Sequence, residues 1–406
     1  MSRMFEDRIV VRSDRQRKSL AILDMIRKNG PISRTDISKV TGFNIVTVSN
    51  YMNNFIEKKL VSEKGYGVST GGRIPTLVEL NPKSTLLIGV GLNITDIVGV
   101  VVDLRSNILF KVKKERTSRP DEELIRRVIG VVEELLEKSK LPREDVKGIG
   151  IGIPGIIDEK GHTIRWPGGL GTDDIFVSVS LKDLIEDKFG IPAIVENDAD
   201  AAVFGEKWIS IDAEVRDMIY MYSGVACGII INGEIYHGWS GCAGELGIVH
   251  PVEKDPKTLE REALGLGRWS LVLGMIDEIK ERLSKGQKSA ISDIVKGDTN
   301  KINFKTIIEA FETGDAMSRS VIENAGYHLG RKIAFLANLL SPEMVIIGGG
   351  IEQAGDVLLD SIRNSVRMHA IEEVTNGLKI VPAQLGEDAI ALGAASIAAE
   401  RHFMQG

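Results

Sequence analysis

The sequence predicts an α/β protein in two parts: a small basic head of mostly helical pattern, and a larger acidic body of short strands alternating with helices. Three observations carry that expectation. Charge is the first, because residues 1–80 hold 14 Lys/Arg against 8 Asp/Glu while the remainder holds 37 against 49. Periodicity is the second, with apolar residues at helical spacing dominating up to about Leu60. The third is a change of texture at Pro82, after which Val/Ile/Gly runs of strand length feed into helical stretches.

The 406 residues leave room for two or three domains with buried cores. The content of 43% hydrophobic and 27% charged residues is that of a soluble globular chain. No apolar run reaches membrane-spanning length and the charged N-terminus has no signal-peptide core, so a cytoplasmic protein is expected. The two cysteines, Cys227 and Cys242, allow at most one bridge and are expected as reduced thiols; they exclude a multi-cysteine zinc site.

In the head, "RQRKSLAILDMIRKNG" sets Leu20, Leu23 and Ile26 at helical spacing before Gly30. "PISRTDISKVTG" follows, with Ser33 and Asp36 in capping-box spacing and Gly42 at a turn. "FNIVTVSNYMNNFIEKKL" then offers Asn44 as N-cap and Val48, Met52, Phe55 and Ile56 as one stripe. A capped short helix, a glycine turn and a longer helix make a helix-turn-helix. The second helix would present Asn44, Ile45, Thr47 and Asn50 at the end that enters a DNA major groove. Asparagine can pair with adenine edges, while threonine or isoleucine can meet a thymine methyl or a phosphate. "VSEKGYGVSTGGRIPTLVEL" reads as two strands around a glycine-rich wing tip, where Arg73 suits a minor-groove or phosphate contact. Arg34 completes the set of expected DNA contacts. Charge alone fits a solvated face and the helices alone fit a protein-interaction module; the combination with a wing favours DNA.

In the body, "KGIGIGIPGIID" is a buried strand that breaks at Pro154-Gly155. "IPAIVENDADAAVFGE" is a strand that delivers Glu196, Asn197 and Asp198 to the start of an alanine-rich helix. "DMIYMYSGVACGIIINGEIYHG" reads as a hairpin with an Asn232-Gly233 turn, and "SPEMVIIGGGIEQAG" as strand, glycine turn and helix start. Two α/β lobes with a ligand cleft are expected. A carboxylate beside an amide at a strand end can hold a sugar hydroxyl, or deprotonate one if a phosphoryl donor sits opposite. Taken alone, Asn197 and Asp198 read better as a helix N-cap pair; the further polar residues in the same half of the chain weigh against that. Glu245 in a glycine-rich loop and Glu260 at a helix opening add carboxylates of the kind a polyol site needs.

The ordered motifs "GGRIP", "GIGIGIPGIID", "ENDADAAVFGE", "GCAGELG", "NLLSPEMVIIGGGI" and "ALGAASIA" resemble those of the ROK family, a name abbreviating repressor, open reading frame and kinase. The resemblance runs through nearly the whole chain, including the winged helix-turn-helix of the family's repressor branch. It implies a two-lobed sugar-kinase/actin-like (ribonuclease H-like) domain. The expected divisions are 1–82 for the DNA-binding head, 83–198 plus 386–406 for the first lobe, and 199–385 for a second lobe with dimerisation and effector-binding elements. By the same resemblance, Asp198 matches the family's catalytic aspartate and Asn197 its sugar-binding asparagine. Glu245 matches the acid of the G-E-x-G-H motif and Glu260 the acid after its cysteine-rich loop.

The departures shape the expected function. The motif histidine is Ile248 here, with His250 two residues on as a possible substitute, and the cysteine-rich loop is replaced by "VEKDPKT". No zinc and no other cofactor is expected. In the kinase branch the first phosphate hairpin reads D-x-G-G-T; here it is Gly91-Leu92-Asn93-Ile94-Thr95. The acid that helps place magnesium and the glycines that admit phosphates are missing. The expectation is therefore a transcriptional repressor of carbohydrate-utilisation genes, not an enzyme. It would be a homodimer or dimer of dimers on a palindromic operator, with Asn197, Asp198, Glu245, Glu260 and His250 around a sugar or polyol effector in the interlobe cleft. The loss of the histidine points to a pentose, a disaccharide-derived sugar or a cyclitol. The alternatives are an ATP-dependent sugar kinase and a repressor that senses a protein partner.

Overall fold

The computed structural model describes residues 13–66, 75–116, 122–157, 164–166, 175–177, 180–212, 214–223, 226–246 and 271–405. One compact unit comprises Met1–Arg165, Phe176–Ala201 and Ile390–Gly406; the other comprises Trp166–Ile175 and Ala202–Ala389.

The head packs within the first unit. Its elements are α1 (Asp14–Asn29), β1 (Ile32–Ser33), α2 (Arg34–Thr41), α3 (Ile45–Glu57), β2 (Val61–Tyr66) and β3 (Thr76–Leu80). Each helix starts where a short polar side chain satisfies free amides. Ser13 forms a reciprocal capping box with Gln16. Ser33 accepts from the Asp36 amide at 3.1 Å, and Asn44 accepts from the Thr47 amide at 2.7 Å. Gly42 closes α2 at φ +72°, a left-handed turn that glycine adopts at no steric cost. The stripes predicted for α1 and α3 point inward: Leu23, Ile26, Val48, Met52 and Phe55 are buried against Ile37, Val78 and Leu80. Burial of such a side chain contributes about 1.5–3 kcal/mol. The strands form an antiparallel sheet in the order β1-β3-β2. β1 has no signal of its own in the sequence; two residues become a strand because Ile32 and Ser33 pair with Val78 and Leu77.

The rest of the first unit is built on a five-stranded sheet, ordered β11-β7-β4-β5-β6, from β4 (Leu86–Leu92), β5 (Asp96–Asp103), β6 (Ile108–Glu115), β7 (Val146–Ile153) and β11 (Ala193–Asn197). β4 pairs antiparallel with β5 and parallel with β7, which pairs parallel with β11. α4 (Glu122–Lys138), a small sheet of β8 (Ile156–Ile157), β9 (Ile164–Trp166) and β10 (Ile175–Val177), α5 (Leu181–Phe189) and α6 (Asp198–Ile209) complete this part of the chain.

The second unit has its own sheet, β14-β13-β12-β15-β16, from β12 (Met218–Tyr222), β13 (Ala226–Ile231), β14 (Glu234–Ile235), β15 (Met344–Gly348) and β16 (Lys379–Pro382). The Asn232-Gly233 turn forms as expected, both residues at positive φ, but it joins β13 to the short β14. A second reversal after Tyr222 separates β12 from β13, so the predicted hairpin is a three-strand meander. The accompanying helices are α7 (Leu271–Ser284), α8 (Ala290–Ile294), α9 (Phe304–Glu312), α10 (Ala316–Leu340), α11 (Asp356–His369) and α12 (Glu372–Thr375).

The chain returns to the first unit in α13 (Ala389–Gln405). This helix lies on β4 and β7 at backbone contact. A Cβ built on Gly89 would stand 1.9 Å from the Ala391 carbonyl oxygen, and one on Gly150 would stand 1.9 Å from that of Ala394. The glycine alternation in both strands thus serves close helix–sheet packing.

Candidate functional sites

The exposed face of α3 follows from its buried one. With Val48, Met52 and Phe55 inward, Val46, Asn50 and Asn53 fall outward at i, i+4 and i+7. Val46 is 65% and Ile45 45% exposed, an apolar pair at the helix start beside the polar Asn44 and Asn50. Val46 is absent from the residues expected from the sequence, although the helical phase alone would have found it. Asn44 uses its side-chain oxygen as the cap, which leaves only its amide hydrogens for a base edge. Asn50 carries no such commitment to the helix start and is the better candidate for adenine. Arg34 is half-buried and donates to the Asn53 side-chain oxygen at 3.1 Å, bracing α2 against α3. Arg73 lies outside the described residues.

At the other end of the first unit, β11 hands the chain to α6 through Asn197 and Asp198. Asn197 accepts from the Ala199 and Asp200 amides at 2.9 and 3.3 Å and donates to the Gly155 carbonyl at 3.1 Å. It is the helix cap, and it is tied to the turn after Pro154. Asp198 is 6% exposed and accepts from the Ala199 amide at 2.9 Å. Burial raises its pKa to about 6, against the opposing pull of the Ala199 amide and the Arg116 charge. A buried carboxyl of this kind can accept from a hydroxyl when ionised and donate when protonated.

Arg116 was not expected. It follows β6 and reaches the β4–β5 turn, where its guanidinium donates to the Asn93 carbonyl at 2.8 Å and its amide donates to the Thr95 carbonyl at 2.8 Å. No motif marks it; only the strand register, with Asp96 opposite Glu115, brings it there. The turn itself is closed by Asn93, whose amide donates to the Asp96 carbonyl at 2.8 Å, and it projects Ile94 at 47% exposure. At Gly91 a Cβ would come within 2.6 Å of the Ala391 amide nitrogen, so α13 leaves no room there for a carboxylate side chain.

In the second unit, Glu245 sits half-buried in the "GCAGEL" loop. That loop is docked on β13: Cys227 donates its amide to the Gly244 carbonyl at 2.8 Å, and a Cβ on Gly244 would fall 1.8 Å from the Cys227 carbonyl oxygen. Both cysteines are free thiols. Asn197 and Asp198 are therefore brought together in one unit and Glu245 is held in the other, while His250, Ile248 and Glu260 lie outside the described residues.

The ROK family profile matches residues 87–259 and 285–401, beginning directly after the winged head. This chain belongs to the ROK family. A xylose repressor of Caldicellulosiruptor bescii is 30% identical over 382 residues, 93% of this chain and 94% of that protein. The structure of a ROK family transcriptional regulator, a homologue of the Escherichia coli MLC protein, superposes with a TM-score of 0.74 over 96% of both chains at 23% identity. A ROK family glucokinase from Streptomyces griseus, solved with glucose and AMPPNP, gives a TM-score of 0.65 at 29% identity over 77% of this chain and 99% of its own.

The winged head places the chain in the ROK repressor branch, and the relative matched along nearly its whole length is named a repressor. The α/β body is the ROK sugar-kinase fold. No helix among the described residues is long and apolar enough to cross a membrane.

Proposed function

We propose that this protein is a sugar-responsive transcriptional repressor whose effector is an aldopentose, with D-xylose the first to test. One combination of features supports the reading. A correctly capped reading helix exposes Ile45, Val46 and Asn50, and the same chain keeps Asp198 buried while position 91 holds glycine in place of an acid. Asp198 and Asn197 would hold sugar hydroxyls, with Glu245, Glu260 and His250 completing the site. The family likeness to named xylose repressors supports a pentose, as does the apolar Ile248 in place of the motif histidine.

The protein would act as a homodimer on a palindromic operator, two α3 helices entering successive major grooves with Asn44, Ile45, Thr47, Asn50, Arg34 and Arg73 at the DNA. Effector binding weakens the operator complex only insofar as the effector prefers the state that binds DNA less well. Selection of bound sequences from a random duplex library, followed by anisotropy titrations with D-xylose, D-glucose and N-acetylglucosamine, tests the reading. A palindrome should emerge and D-xylose should weaken its binding. Absence of sequence preference would overturn the repressor assignment, and a response to D-glucose alone would overturn the pentose.

The retained Asp198 keeps a sugar kinase as the second reading. Against it stand the packed Gly91, the exposed Ile94 and the Arg116 guanidinium bonded to the Asn93 carbonyl of the turn. Phosphoryl transfer depends on positioning the γ-phosphate and metal, and a side chain filling that approach removes it.

A further inference from the structure

The site built around Asp198 leaves another acid on the same helix without a role. Glu206 lies two turns further along α6, with its side chain fully buried at 0% exposure. Its Oε1 accepts from two backbone amides far along the chain, Gln384 at 2.8 Å and Leu385 at 2.9 Å. Burial raises its pKa, opposed by those same amides. A buried acid is expensive to keep unless its acceptor capacity is used, and here one oxygen gathers two backbone donors.

The position of this contact gives it meaning. α6 starts in the first unit at Asp198 and ends in the second; α13, entered four residues after Leu385, starts in the second and continues in the first. Glu206 therefore ties one crossing helix to the lead-in of the other. From there α13 runs against the glycines of β4 and β7, and its end reaches the head. Phe403 and Met404 line a cavity of about 650 Å³ together with Thr47, Asn50 and Tyr51 of α3. α13 is in backbone contact with the sheet, so a shift at its start is not absorbed locally.

We propose that Glu206 is the positioning residue that couples the effector site to the DNA-reading helix, through the amides of Gln384 and Leu385 and then α13. The proposal rests on the repressor reading above. Three properties are measured for Glu206→Gln and Glu206→Leu: operator affinity, D-xylose affinity, and the fold-change in operator affinity at saturating D-xylose. Glutamine keeps an acceptor at the same reach and should keep the wild-type fold-change. Leucine should leave each separate affinity within about threefold of wild type while the fold-change collapses towards one. A folded leucine variant that responds to D-xylose like wild type overturns the proposal, as does one that loses both affinities together.

Hydrogen exchange separates this inference from the choice of effector. Glu206→Leu should raise exchange through residues 390–405 and into α3; exchange confined to residues near 384 and 385 overturns the coupling whatever D-xylose does. A wild-type protein that ignores D-xylose would instead count against the pentose reading. Should the leucine variant fail to fold, Glu206→Met, which keeps the length of the side chain and removes its oxygen acceptors, is read in the same way.

Discussion

Asp198 balances burial against the Ala199 amide and, after it, the Arg116 charge, and its chemistry depends on pH for that reason. Its pKa is raised to about 6 from the ordinary 3.8. The fold therefore holds the proton more tightly than the unfolded chain does, and the stability gained from the protonated form is lost as pH rises from 3.8 through about 6. Sugar binding that needs the carboxylate should run the other way. D-xylose affinity measured by calorimetry should be full at pH 7.5 and fall as pH drops through about 6, and Asp198→Asn should bind weakly with no such dependence. At the DNA face the two asparagines should separate. Asn44→Ala removes a cap and should lower head stability by about 1 kcal/mol in thermal unfolding. Asn50→Ala should leave the melting temperature unchanged and weaken the selected operator by about 1–3 kcal/mol, most at an adenine position.

Among the elements, the helix caps and the glycine strands show how differently two kinds of sequence signal behave. Ser33, Asn44 and Gly42 act locally, within three or four residues, so their roles were readable from spacing and appear in the structure as expected. In the sequence Gly89 and Gly150 have no role beyond the strand, and Gly91 only marks the place of a missing acid; their partner, α13, is some 240 to 300 positions away in the chain. Their role is steric and long-range. Gly150→Ala should destabilise by about 1–3 kcal/mol through overpacking against Ala394, seen as a lower urea midpoint. Gly130→Ala on α4, where nothing lies within 4 Å of the added carbon, should be neutral or stabilising. Arg116 belongs to the same class as the strand glycines. A lone arginine after a charged strand carries no motif, and only the β5–β6 register puts it beside the turn and Asp198.

For the whole molecule, the proposed repressor reading would separate sensing from catalysis by what surrounds the acid. A kinase needs the approach to the β4–β5 turn open for phosphates and metal; here Gly91 is packed under α13 and the Arg116 guanidinium is bonded to the Asn93 carbonyl of the turn. Purified protein with ATP, magnesium and a panel of aldoses should release no ADP above background. If it does turn over, Asp198→Asn should abolish the release, and the kinase reading would then hold.

The sequence by itself determined the two-part organisation, the capped helix-turn-helix, the strand-to-helix delivery of Asn197 and Asp198, and the family, because each rests on periodicity, capping or an ordered set of local motifs. Only the tertiary structure decided that Asn197 spends its side chain as a helix cap, that Arg116 sets the charge near Asp198, that position 91 is closed by a distant helix, and that Glu206 grips the entry to α13. The physical reason is range. Spacing along the chain encodes contacts within a turn or a strand, whereas these four contacts join residues 23 to 300 positions apart or turn on which of several possible hydrogen bonds the surrounding packing allows.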